Sequence, residues 1–485
     1  LKKEVAMFYC ICLTLFSSFL WTPPDSQDVL ILDSLGYRVK FGTDYDYTTG
    51  DIYLIFSSDS GDLAGIPAGC SGFVIFKSDD HGQTWYFYDS GYFFDIYPYY
   101  SCRILSGYSG KIYHAHALGR NIDNNLVFCV KDSTSEVRHY IGQGSSTSEF
   151  TNVRIEKDNF PDQYIYLITI KNVFNGYDTL RLMRTADDGY NWDTLKVVIV
   201  DKFIDCDVTT ADSSIYYCYA DSSAWGFEIV YGVFRDRGTY GDVRVIVSSP
   251  NRVLGCRIGA TTVQPDTSQI AYLLYSAVIG GNCALLCCPF KDTVPYPVDT
   301  IVSGIPDTIM FSIKGYQASP NQWIDMAYTW SEDFYGLWYR TYWQYTNTPY
   351  SWSSPDTVNP LVLGAEYVPE IVYSPGASAP GSGVVYYTRD NGGALYFDAP
   401  WITSGIEERF ITQKLRVNST VLYRSGYFEF NKSGIEIYDH IGREVHYISG
   451  KRWDLKAESG KPVSPGIYFA VKKETGEVIK LTVLR

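Results

Sequence analysis

Charge is scarce in this chain. Only 19% of the 485 residues are Asp, Glu, Lys or Arg, acids outnumber bases 54 to 40, and the bases form no run. Phosphate binding needs clustered cations, which argues against nucleic acid as a partner. There is no C-x-x-C pair and no His/Cys spacing suited to zinc. Cys287 and Cys288 are adjacent, and His114-x-His116 stands alone on a strand-like run, so no metal and no other cofactor is expected. Beyond the N-terminus no apolar run is long enough to cross a bilayer. The N-terminus itself, Lys2-Lys3, then Val5 to Phe16, then Ser17, Ser18, Pro23 and Pro24, has the layout of an export signal over residues 1–24. An uncleaved anchor is the alternative. The expectation is an exported monomer with no transmembrane segment once the signal is removed.

Eleven cysteines are present, two of them in that leader. Cys102, Cys129, Cys206, Cys218, Cys256, Cys287 and Cys288 sit inside apolar runs and read as small buried hydrophobes. Cys206 and Cys218 fall on neighbouring predicted strands, where a disulfide is attractive.

A strand-like segment built around Ile or Val recurs seven times, at Ile52, Ile112, Ile165, Ile215, Ile270, Ile324 and Val384. Successive spacings are 60, 53, 50, 55, 54 and 60 residues. Short apolar or alternating strands at a period near 50, separated by Gly, Asp, Asn and Ser, mark the blades of a β-propeller. The fold class is therefore all-β: a seven-bladed β-propeller over residues 25–401, followed by a small Ig-like β-sandwich over 402–485. The last repeat shows only three convincing strands, and the run Val29 to Leu32 has no repeat of its own. It is expected to supply the missing strand and close the ring, removing an exposed sheet edge.

Two turns share the pattern S/T-x-D-x-G-x-T/N-W: Ser78, Asp80, Gly82, Thr84 and Trp85, and Thr185, Asp187, Gly189, Asn191 and Trp192. A short carboxylate accepting N–H bonds of its own loop, a glycine at positive φ and a tryptophan leaving the turn make a tight strand connection. The pattern resembles the Asp-box of sialidase-type β-propellers. The resemblance extends to Tyr37-Arg38-Val39-Lys40, at the place of that family's F/Y-R-I-P, and to Ser58 to Asp62, at the place of its acid/base loop. It implies that Arg38 binds a substrate carboxylate and that Asp59 or Asp62 protonates a leaving oxygen. Lys40 departs from the motif's proline, the Tyr–Glu nucleophile pair has no place, and the family has six blades.

Aligning the first strand of each repeat puts Arg38, Arg103, Arg154, Asp207, Arg257, Ser312 and Glu370 in one register. Innermost strands line a propeller's channel, so these residues are expected to form a ring. Such a ring is either a structural charge network or an anion or acidic-sugar site at one mouth.

Composition breaks near residue 402: residues 1–400 carry 26 bases and 44 acids, residues 401–485 carry 14 and 10. The segments Ile435-Glu436-Ile437-Tyr438-Asp439, Gly442-Arg443, Pro465-Gly466-Ile467-Tyr468-Phe469 and the basic-tailed last strand to Arg485 look like the sorting domain of the bacterial type IX secretion system. That resemblance implies delivery through a secretion machinery that reads residues 402–485, to the medium or the outer cell surface of a bacterium. The functional expectation is a secreted or surface propeller that binds a glycan or protein ligand without catalysis. An exo-acting glycoside hydrolase of sialidase type and a structural envelope component without ligand are the alternatives.

Overall fold

A computed structural model describes residues 29–33, 40–58, 71–93, 99–107, 110–118, 126–133, 135–142, 145, 147–158, 164–223, 226–249, 251–263, 268–291, 293–305, 309–316, 323–331, 335–343, 352, 356–359, 367–373, 382–388, 394–399, 421–423, 427–430, 433–439, 443–472 and 477–484. The chain divides into two compact units, Leu1–Thr403 and Ser404–Arg485. No helix among the described residues is long and apolar enough to cross a membrane.

The first unit is a β-propeller built from antiparallel sheets. Sheet I comprises Lys40–Tyr45, Ile52–Ser58, Ser71–Ser78 and Tyr86–Phe93; sheet II comprises Tyr99–Ser106, Ile112–Leu118, Leu126–Lys131 and Glu136–Gly142. Sheet III runs Ser148–Lys157, Ile165–Val173, Asp178–Thr185 and Asp193–Val200, and sheet IV runs Lys202–Ala211, Ser214–Ser223, Gly226–Arg235 and Tyr240–Ser249. Sheet V holds Val253–Val263, Ser268–Ile279 and Asn282–Lys291, flanked by Val294–Pro295 and Asp299–Ile305. Sheet VI holds Phe311–Tyr316, Trp323–Ser331, Tyr335–Trp343 and Asp356–Asn359. In sheet VII, Tyr367–Tyr373, Ser382–Thr388 and Ala394–Asp398 are completed by Val29–Asp33 from the other end of the unit.

Each Ile or Val of the sequence repeat lies on the second strand of its sheet, from Ile52 in Ile52–Ser58 to Val384 in Ser382–Thr388. These strands read as apolar on both faces because both faces are covered: Ile112–Leu118 is buried at every position, and so is the run from Ile165 to Ile170. The innermost strands touch in cyclic order, I against II through to VII against I. Apolar clusters fill the gaps between sheets; one joins Leu54 and Phe56 of sheet I to Val384, Tyr386 and Phe397 of sheet VII, with Ile31 of the completing strand.

The eight described cysteines are buried and free. The disulfide expected between Cys206 and Cys218 is not formed. Across the ladder Cys206 faces Tyr219 and Cys218 faces Asp207, so the two sulfurs are one residue out of register and enter opposite interfaces. Cys218 instead makes a sulfur contact with Cys256 of sheet V.

The second unit has its own core. A five-stranded sheet, in the order Val421–Tyr423, Glu477–Leu484, Gly466–Lys472, Ile435–Asp439 and Glu444–Ile448, accompanies a two-stranded pair, Phe428–Glu429 with Arg452–Trp453. Phe428, Ile435, Ile437, Trp453, Ala470 and Leu481 pack together. The Asp-x-x-Gly-Arg segment earns its residues locally: Asp439 accepts the backbone N–H of Arg443 at 2.9 Å and its Nε–H at 2.8 Å.

Candidate functional site

The channel wall is built by the middle of each innermost strand. Arg103, Arg154, Asp207, Arg257, Ser312 and Glu370 line one cavity, together with Thr43, Glu156 and Lys314. Four of them share a register in the ladders: Arg103 lies opposite Ala115, Arg154 opposite Ile168, Asp207 opposite Cys218 and Ser312 opposite Ala327, each three residues beyond the repeat Ile, whereas Arg257 lies opposite Leu274, four beyond Ile270, and Glu370 opposite Val385, one beyond Val384. On the first strand of sheet I that position is Gly42, opposite Ile55, and the Arg103 side chain lies over it. Arg38, Asp59 and Asp62 lie outside the described residues.

Every cation of the ring has an acid. Glu370 bridges two guanidiniums, at 2.8 Å from Arg103 and 3.3 Å from Arg154. Arg154 also faces Asp207 at 3.8 Å, Arg257 is bound by Asp205, and Lys314 donates to Glu156 at 2.8 Å. Below the ring, Lys157 donates to Asp44 at 2.7 Å. Burial raises the Asp207 carboxyl above its ordinary range, against the opposing pull of Arg154 and Arg257. For Arg257 burial works against the charge, but Asp205, Asp207 and Glu370 outweigh it and hold the guanidinium more firmly protonated. The cavity measures about 60 Å³. At roughly 10–15 Å³ for each ordered water on this measure, it has room for about four to six waters. Each of these cations of the ring is thus paired with an acid.

Removing one shared acid checks this. Glu370→Gln is expected to cost about 2 kcal/mol in urea unfolding. A dry pair broken from one side costs roughly 3–5 kcal/mol, and the 20% exposure of the Glu370 side chain reduces that. A variant as stable as the parent would mean the ring carries no structural load.

The two box-like turns spend their carboxylates on themselves. Asp80 accepts from Ser78 Oγ at 2.8 Å, from Thr84 N at 2.8 Å and from Thr84 Oγ1 at 2.6 Å. Asp187 accepts from Thr185 Oγ1 at 2.8 Å, Asn191 N at 2.8 Å and Asn191 Nδ2 at 2.6 Å. Their tryptophans and glycines turn to the preceding sheet. Trp85 meets Phe397 of sheet VII at 5.7 Å, and Trp192 meets Phe128 of sheet II edge-on at 5.1 Å. In both cases the partner is a third-strand phenylalanine, so each turn staples its sheet to the one before it.

Sequence reasoning missed an aromatic ledge on the edge where these turns lie. Tyr45 pairs with Ile52 and Ile52 with Ser78, so the end of the innermost strand, the start of the second and the end of the third share that edge. Tyr47, just past the strand, is 42% exposed. Its ring stacks on Tyr373 at 5.4 Å with 24° between planes, and both meet Tyr45 edge-on. Lys157 Nζ lies 5.8 Å from the Tyr47 ring centre, and Asp46, Thr48, Ser106 and Gly107 complete a shallow depression. A tyrosine just after an innermost strand was the available signal, but nothing in the sequence distinguishes it from 42 other tyrosines (43 in all).

No protein-family model matches the chain, and no curated protein does. Among solved structures, it is similar to a protein of unknown function from Dyadobacter fermentans (12% identity, 77% of this chain and 98% of that one, TM-score 0.43). It is also similar to the Hadza microbial sialidase Hz136 (10%, 76% and 68%, TM-score 0.41) and to the Aleuria aurantia lectin bound to a methyl fucoside (12%, 69% and 99%, TM-score 0.40). Similarity at this level carries no functional inference.

Proposed function

We propose that the chain is an exported, non-catalytic seven-bladed β-propeller that binds a glycan through the tyrosine ledge, and that its second unit is an Ig-like sorting domain. The observation that carries the reading is the contrast between two surfaces. The channel's cations are bound by its own acids, whereas Tyr47 is 42% exposed and stacks on Tyr373 beside Thr48. An apolar ring face bordered by polar groups suits the C–H face and hydroxyls of a pyranose. A ledge on a rigid scaffold also binds without an ordering cost. The two turns are read as Asp-boxes with an architectural role only.

Titration of the full chain against a panel of neutral and acidic oligosaccharides should find a binder. Tyr47→Ala should weaken it roughly two- to tenfold, the equivalent of a stacking contact of about 0.5–1.5 kcal/mol, while loss of its contacts with Tyr45 and Tyr373 lowers stability by no more than about 1–2 kcal/mol. The same preparations should release no chromophore from aryl sialosides or other aryl glycosides. Turnover abolished by both Arg38→Ala and Asp59→Asn would replace the binding reading with the hydrolase, Arg38 then acting as carboxylate clamp and Asp59 or Asp62 as acid.

Export through residues 402–485 is the second part of the proposal, supported by the separate core of the C-terminal unit and its Asp439–Arg443 turn. In a bacterium with a type IX system, a chain lacking these residues should accumulate in the periplasm with the propeller's melting temperature unaltered. Normal amounts of truncated protein outside the cell would contradict the sorting role.

A further inference from the structure

Away from the channel, between sheets I and II, the tertiary structure supplies His114 and His116 with a partner that their spacing does not reveal. The two histidines stand two residues apart on Ile112–Leu118 and share a face. Cys129, on Leu126–Lys131, is the direct ladder partner of His114. All three are 0% exposed, and one donor atom from each lies within 4.8 Å of the other two. Nδ1 of His114 is 2.7 Å from Nε2 of His116.

The surroundings are dry. The Phe73 ring of sheet I lies 4.8 Å from the His114 ring and 4.7 Å from that of His116, Phe93 lies 5.3 Å from His116, and Ile55, Ile75 and Val127 fill the same interface. Burying two imidazoles among such groups is costly, and one hydrogen bond between them returns only about 1 kcal/mol. Beyond them, Glu136 Oε2 stands 3.8 Å from His114 Nε2, and Glu136 is itself anchored by Arg138 Nε at 2.5 Å.

We propose that His114, His116 and Cys129 form a buried structural site for a thiolate-seeking d10 ion, Zn²⁺ or Cu⁺. Two imidazoles and a thiolate are the donors these ions select. With metal–nitrogen bonds of about 2.0–2.1 Å, tetrahedral nitrogens sit roughly 3.3 Å apart. Seating the ion therefore opens the His114–His116 contact by about 0.6 Å, within reach of small side-chain rotations. Glu136 Oε2, 3.8 Å from His114 Nε2, must move closer to accept that N–H, and doing so would fix the ring as a ligand, the usual second partner of a metal-bound histidine. Burial holds both imidazoles in the neutral, ligating form. Burial also holds the Cys129 thiol protonated, so the ion displaces one proton as the metal–sulfur bond forms. With Cu⁺, three donors suffice and the bound thiolate leaves the site neutral, so an enclosed three-donor site suits Cu⁺ better than the four-coordinate Zn²⁺. The site is enclosed and has a structural role, tying the second and third strands of sheet II together beneath the Phe73 and Phe93 rings of sheet I.

Because the site is enclosed, the ion enters during folding. The full chain should be unfolded and refolded under reducing, anaerobic conditions with Zn²⁺, Cu⁺, Co²⁺ or chelator, then desalted and analysed for metal. The expected result is about one tightly held ion per chain, a higher melting temperature than the chelator-refolded protein, and a thiolate-to-cobalt charge-transfer band in the Co²⁺ form. Which ion survives competition identifies the native one. Glu136→Gln should lower affinity 10–100-fold, and Cys129→Ser should lower it further and abolish the cobalt band. If Cys129→Ser fails to fold, the cobalt band of the parent and the Glu136→Gln affinity still decide. Failure of the parent to retain either ion, a cobalt spectrum without the thiolate band, or affinity indifferent to both substitutions would leave a hydrogen-bonded histidine pair and overturn the site.

Discussion

Deletion of residues 29–33 is expected to lower the stability of the first unit by about 5 kcal/mol and to cause aggregation. Val29, Leu30, Leu32 and Asp33 pair with Phe397, Tyr396, Leu395 and Ala394. Those ladder hydrogen bonds are worth about 1 kcal/mol each, and burial of Ile31 adds roughly 2 kcal/mol. The sum is a large share of the roughly 5–15 kcal/mol that holds a domain together. The loss is concentrated where it matters most: Ala394–Asp398 would become an unpaired edge, and its Phe397 is the residue on which Trp85 of sheet I rests. Urea unfolding and light scattering are the measurements. A deletion variant within about 1 kcal/mol of the parent would show that the closing strand is dispensable.

Gly82→Ala should be nearly as damaging although it adds one methyl group. Gly82 has φ 92°, and a Cβ there would sit 2.0 Å from a ring carbon of Phe397. The substitution combines left-handed backbone strain with overpacking, together about 3 kcal/mol or more. Gly304 separates the two causes. Its φ is 81° with nothing within 4 Å of the added Cβ, so Gly304→Ala should cost only the backbone part, about 1 kcal/mol. Combining Gly82→Ala with Phe397→Leu should recover part of the loss, since the contact is with the ring. Equal effects at Gly82 and Gly304 would mean the turn does not press against sheet VII. Gly189, 2.6 Å from Phe128 at its added Cβ, repeats the arrangement between sheets III and II.

The stapling role bears on function. A turn whose carboxylate, hydroxyl and indole are committed to its own loop and the neighbouring sheet has nothing left for a ligand. The same holds for the arginines of the channel. Aromatic side chains exposed on that edge among the described residues include Tyr190, in the second turn, and Tyr47, at the joint between sheets I and VII, where the ring is completed. Ligand affinity and ring closure are therefore expected to depend on the same joint.

Strand order and turn chemistry were legible in the sequence because both are local. The Ile and Val repeat reflects strands covered on two faces, and Asp80, Gly82 and Trp85 report a turn whose bonds all lie within eight residues. Which side chains reach the channel was legible in part: Arg103, Arg154 and Arg257 line it, whereas on the first strand of sheet I the position corresponding to Arg103 is Gly42. Which acid neutralises which arginine, that Cys218 meets Cys256 rather than Cys206, that Cys129 lies opposite His114, and that Tyr47 stacks on Tyr373 were decided by tertiary structure alone. Apart from Cys129 and His114, which sit on consecutive strands, each of these pairs residues separated by at least one further strand, and a linear pattern specifies the face a side chain takes but not what the neighbouring strand or sheet places against it.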